Sequence, residues 1–158
     1  MLKTKIAVLS VVVVLAGCQN DPGSTAEDHT NTSARHSQTY TADSGAQHDL
    51  TAAALIGQRD GEIQQGISVR YTAKGIGWAH FREAWSSGQQ LPYKGQSLRT
   101  AGCTASGCTI IEEGVIELTP QQFDRAAEDG IEFKLVGSST QIVGKLPAEA
   151  FQEALAKR

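Results

Sequence analysis

The chain has 158 residues, of which 40% are hydrophobic, 20% charged and 6% aromatic, with a net charge of −3 at pH 7. That length suits one domain plus tails and targeting segments, and the acidic balance argues against a nucleic-acid binder. Three cysteines are too few for a disulfide-stapled scaffold, and no apolar run reaches the roughly 18 residues of a bilayer-spanning helix. At the N-terminus, Lys3 and Lys5 precede a ten-residue apolar run, Ile6 to Leu15, broken only by Ser10. This is the layout of a secretory signal peptide covering residues 1–17.

The run closes on Leu15-Ala16-Gly17-Cys18, which resembles the lipobox of bacterial membrane lipoproteins. The resemblance covers the first 18 residues. It implies cleavage between Gly17 and Cys18, a diacylglyceryl thioether on the Cys18 sulfur, and a further acyl chain such as palmitate on the new amino group. A thiolate is the strongest nucleophile the chain offers. Two or three acyl chains hold a protein on a membrane stably, at about 0.8 kcal/mol per buried methylene. Residue 19 is Gln rather than Asp, and by the same resemblance this favours the outer membrane, with the protein facing the periplasm. Loss of Lys3 and Lys5 leaves 12 basic residues against 17 acidic, a net of −5. The lipid therefore makes the membrane contact, because an acidic body is not drawn to anionic headgroups.

Residues 18–61 read as the lipidated cysteine followed by a disordered polar tether. From Gln19 to Asp49 the composition is Ser, Thr, Asp, Asn, Gln, His and Ala, with Tyr40 almost alone as an apolar residue. Such a segment buries too little to offset ordering, and a coil of about 40 residues reaches roughly 35 Å. Leu50 to Ile56 reads as a helical turn or two, ended by Gly57. His29, His36 and His48 lie in this stretch, but spacings of 7 and 12 match no compact metal site, so no metal is expected.

Residues 62–158 read as one domain. Ile67, Val69 and Tyr71 alternate with polar residues as a half-buried strand. Gly75-Ile76-Gly77-Trp78-Ala79-His80 imitates the start of a dinucleotide fingerprint but lacks its third glycine, and no cofactor is expected. Trp78, Phe81 and Trp85 fall on one face of a helix ending near Gly88. A second strand runs through Leu91, Tyr93 and Ser97 to Thr100, and a third from Thr109 to Leu118 with Gly114 as a bulge. Thr119-Pro120-Gln121-Gln122 opens a helix by capping box and N1 proline, and Gly130 stops it. Ile131 to Leu135 and Gln141 to Leu146 form a hairpin, and Pro147 starts a last helix with Phe151, Ala154 and Leu155 inward. The expected class is α+β: a mainly antiparallel sheet of about five strands with two or three helices, in the order β-α-β-β-α-β-β-α.

Export of a lipoprotein places Cys103 and Cys108 in an oxidising compartment, where a disulfide would staple the mouth of a hairpin. Their spacing is not the C-x₂-C of a redox motif, and no nearby ligand completes a metal shell. His80 is the one histidine of the expected domain, and no Gly-x-Ser-x-Gly elbow serves it. Glu112 and Glu113 are adjacent in a strand and so face opposite sides. The Cys-x₄-Cys…Glu segment, the capped helix and the closing hairpin and helix are loosely similar to uncharacterised small bacterial envelope lipoproteins, which carry no activity to transfer. No catalytic residue is assigned. The expected role is a non-enzymatic, lipid-anchored binding or structural module whose partner is an envelope protein or glycan. The alternatives are a small periplasmic hydrolase using His80 with a carboxylate such as Glu83, or an inhibitor or exclusion-type lipoprotein.

Overall fold

The computed structural model describes residues 24–27, 32–59, 62–75 and 77–156. The leader, Gly17, Cys18 and His29 lie outside them. Eleven strands and two helices are present among the described residues. The fold is mostly β, built from curled antiparallel sheets, which corrects the expected α+β balance. The difference lies in two segments that the sequence reading placed elsewhere.

The first is the expected tether. β2 (Thr32–His36), β3 (Tyr40–Ser44) and β4 (His48–Arg59) all fall inside it, and the short β1 (Ser24–Glu27) pairs with β2. β4 pairs along its whole length with β5 (Glu62–Lys74), from His48↔Ala73 to Arg59↔Glu62. There is accordingly no domain boundary at residue 62, and Leu50–Ile56 is strand rather than helix. Its alternation explains why: Leu50, Ala52, Ala54 and Ile56 all point into the core beside Ile67, Val69 and Tyr71. β2 and β3 share one edge of β4, interrupted at Ser37–Thr39. Ser37 is buried there and repairs the ladder, its N–H donating to Ala54 O (3.0 Å) while its Oγ accepts from Ala54 N (3.0 Å). A buried backbone group left unpaired would be costly, so this hydroxyl acts as a backbone substitute. Tyr40 is tied to the C-terminal end of the chain, its hydroxyl donating to Glu153 Oε1 at 2.8 Å.

The second segment is 78–88, expected as a helix. Residues 77–82 form a loop instead, followed by β6 (Glu83–Ser86) and β7 (Gln89–Leu91). The β6–β7 turn places Ser87 and Gly88 at φ 49° and 78°, the left-handed pair that tight hairpins require. β8 (Tyr93–Thr104) and β9 (Gly107–Leu118) form a long hairpin. The larger sheet runs β1-β2-β4-β5-β9-β8, with β3 on β4. Gly114 is not a bulge: it pairs in register with Val69 and Gly95, and the irregularity sits on β8 between Gly95 and Ser97. A Cβ at 114 would run into the ring and hydroxyl of Tyr93, so any larger residue there displaces that ring.

Helix α1 (Pro120–Asp129) has the capping box read from the sequence: Thr119 Oγ1 accepts from Gln122 N while Gln122 Oε1 accepts from Thr119 N. Gly130 closes it at φ 72°. β10 (Ile131–Val136) and β11 (Gln141–Leu146) form the expected hairpin, and α2 (Ala148–Ala156) follows. The smaller sheet is ordered β11-β10-β6-β7. The two helices meet through Phe123 and Phe151, edge to face at 5.0 Å, and both rings are fully buried. Leu50 of β4 meets Gly144 of β11, where a Cβ would overlap both Leu50 and Phe133. The strands β2 to β4 of the expected tether are thus packed against the C-terminal elements.

Candidate functional site

The alternation of β9 sends Ile110, Glu112, Gly114, Ile116 and Leu118 to the core face, and Glu112 is 3% exposed. A buried carboxylate is tolerated only where donors surround it. Three consecutive backbone N–H groups of the 77–82 loop supply them: Ala79 (2.5 Å), His80 (3.1 Å) and Phe81 (3.4 Å). Such a run of amides is a natural anion cradle, and here the protein fills it with its own side chain. To aim all three, His80 adopts φ 49°, a conformation non-glycine residues adopt at some cost. The loop is held from the other side by the β10–β11 turn, where Ser138 N donates to Ala79 O and Gly137 leaves room for that carbonyl. Phe81 packs edge-on against Tyr71 at 5.2 Å. Burial pushes the Tyr93 phenol up to about 12, with the Glu112 charge adding to it, and raises Tyr71 for the same two reasons.

A cavity of about 420 Å³ opens beside this strut, lined by His80, Phe81, Tyr93, Ser97 and Leu98. Its chemistry is limited by what is already spent. Both Glu112 oxygens accept from the backbone. The His80 ring is exposed, 6.2 Å from Trp78, and the Glu83 carboxylate accepts from Trp85 Nε1 at 2.9 Å. The structure does not bring His80 and Glu83 together. Glu112, which does join the His80 loop, was missed as a site residue, although an acidic residue on the inward parity between Ile110 and Ile116 was a readable signal.

The opposite face of the larger sheet carries a groove of about 550 Å³ that crosses β2, β4, β5, β9 and β8. Thr51, Ser68 and Gln96 supply hydroxyls and an amide over a floor of Ala53, Leu55 and Val115. Glu113 stands in its wall, as expected of a residue facing away from Glu112. Its carboxylate accepts from Ser97 Oγ at 2.6 Å and lies 3.4 Å from Arg99 and 3.6 Å from Arg70. The Ser97 hydrogen bond, assisted by these two guanidinium groups, holds the Glu113 carboxyl below its usual range. A depressed carboxyl contributes stability above its unfolded pKa and loses it as pH falls through the folded one. Ser97→Ala should therefore lower the melting temperature at pH 7 more than at pH 3. An equal loss at both values, by calorimetry, would show that Ser97 does not act through this charge.

Cys103 and Cys108 are register partners at the tip of the β8–β9 hairpin, one pair from its turn, with their sulfurs at disulfide distance, 2.07 Å. His36 lies on β2 and its Nδ1 meets Ser37 O at 2.9 Å, whereas His48 pairs with Asp43 at 3.0 Å. Among the described residues no group of three or more His, Cys, Asp or Glu side chains is placed to hold a metal ion. No family model, curated protein or solved structure matches the chain, so the functional reading rests on the residues themselves.

Proposed function

We propose that the chain is a lipid-anchored protein of the bacterial cell envelope whose folded domain works as a binding module. The observation that carries the binding role is the groove on the outer face of the larger sheet. A volume of about 550 Å³ lies within the range of ligand sites, which combine an apolar floor with a few convergent polar groups. Its walls are hydroxyl, amide and paired charge, which suits a neutral polar chain, a peptide segment or glycan of an envelope partner. The floor is rigid because its strands pair on both sides, so a partner meets a preformed surface and little ordering is lost on binding. The lipid anchor comes from Leu15-Ala16-Gly17-Cys18 and places the module in the periplasm, on the outer membrane by the residue after Cys18.

A photocrosslinking residue at Thr51 or Ser68 should capture a discrete partner in living cells, while one at exposed Gln152 on α2 should not. Equal adducts from both faces, or none from the groove, would contradict the binding role. For the anchor, Cys18→Ser should move the protein from the membrane fraction to an unprocessed or soluble form. Its melting temperature should be unchanged, since the substitution leaves every described core residue in place. Persistent membrane attachment of that variant would remove the anchor.

A further inference from the structure

We infer that the β1–β2 edge of the larger sheet is the membrane-proximal side of the domain and lies against zwitterionic phospholipid headgroups. The inference rests on lipidation of Cys18. β1 occupies one edge of the sheet and begins at Ser24, six residues beyond Cys18. Six residues span at most about 21 Å whatever their conformation. The headgroup layer itself takes up about 5–8 Å of that distance on each side of a bilayer. The clearance left between headgroups and β1 is therefore at most about 16 Å, well short of the roughly 35 Å of a 40-residue tether.

The opposite edge is β8, five strand spacings away, on the order of 24 Å measured along the sheet. Rotation about the short connection does not exchange the two edges, because only β1 is tied to the lipid. The β8 edge and the Cys103–Cys108 tip are then the parts that face away from the membrane. The partner chemistry follows from charge. The processed chain carries −5; β2 itself carries Arg35, and Glu153 of α2, which lies mainly on β4, accepts from Gln38 and Tyr40. The net negative charge of the chain disfavours anionic lipid and leaves neutral headgroups as the surface it meets. The groove then opens beside the bilayer, with its β2 wall, Ala34 and His36, nearest the lipid and Gln96 farthest. Its occupant must be something held at that level.

The test uses the full lipidated protein in phosphatidylethanolamine–phosphatidylcholine vesicles containing a headgroup-nitroxide phosphatidylcholine as quencher. A fluorophore is placed at Ser33→Cys or Gln58→Cys, exposed positions that pair across β2 and β4, or at Thr100→Cys, exposed on β8. Quenching at 33 and 58 should exceed that at 100 at least twofold. A flexible insert of eighteen Gly and Ser residues after Asn20 should erase the difference. Adding phosphatidylglycerol should not increase quenching at 33, and an increase would overturn the headgroup assignment. Equal or reversed quenching in protein that floats with the vesicles overturns the orientation while leaving the anchor standing. Failure to float overturns the anchor itself.

Discussion

Replacing Leu50 with alanine should destabilise the folded protein by about 2–5 kcal/mol, the range for a leucine removed from a well-packed core. Leu50 has no exposed surface, and its side chain, with the ring of Phe133, closes over Gly144 of β11. Its loss opens a cavity where a strand of the N-terminal half meets the C-terminal hairpin, two elements that relax toward each other only by shifting the sheet. Were residues 18–61 a tether, the same substitution would fall within about 0.5 kcal/mol of zero, as surface changes do. Urea denaturation monitored at Trp78 and Trp85 distinguishes the two, and an unchanged slope would show that the compactness of both states is preserved. A change below 1 kcal/mol would mean that β4 is not part of the core.

Glu112→Ala should cost about 3 kcal/mol. The substitution leaves the N–H groups of Ala79, His80 and Phe81 without their acceptor, and each buried orphan costs about 1–3 kcal/mol before water from the adjacent cavity compensates in part. Glu112→Gln should cost about 2 kcal/mol, since its carbonyl oxygen still accepts while its amide nitrogen turns a donor toward donors. The damage should be local first. The amides of 79–81 should exchange faster with solvent in either variant, while those of β10 and β11 keep their protection. Wild-type exchange at 79–81 in Glu112→Ala would show that the loop is held by other contacts.

These two residues also mark where the sequence was legible and where it was not. α1 and the β10–β11 hairpin were readable because their determinants are local. Thr119 and Gln122 cap each other across three residues, and Gly130 terminates the helix it follows. Trp78, Phe81 and Trp85 had a helical period, yet Arg82 N–H donates to Val136 O and Glu83–Trp85 pair with Lys134–Val136 of β10, so the backbone that would continue a helix is held in a sheet. Nothing within that window announces such a contact. β4 was hidden by composition: Leu-Thr-Ala-Ala-Ala-Leu-Ile has few of the bulky branched residues that mark strands, and alanine has little strand preference of its own. Ala52 and Ala54 are buried because β5 pairs with them and the C-terminal elements pack over them, which is knowledge of partners rather than of the segment. Polar Ser37 looked like linker and is instead the residue that completes the ladder to Ala54.

Of the site residues, the Cys103–Cys108 pairing was within reach of short-range reasoning, since five residues and a hairpin bring the two together. The groove was not. Its floor and walls come from five strands, and a surface assembled from single residues on separate strands leaves no spacing motif in any one of them. Glu113 shows the limit: its partners Ser97, Arg99 and Arg70 come from strands on either side of it.

The central claim, a folded module held at a membrane by its N-terminal cysteine, is tested most directly by the intact mass of the protein extracted from the membrane fraction of a lipoprotein-processing bacterium. The account predicts a chain beginning at Cys18, with its first peptide heavier by a diacylglyceryl group and an amide-linked acyl chain. A mature chain that begins elsewhere, or one that carries an unmodified Cys18, would contradict it.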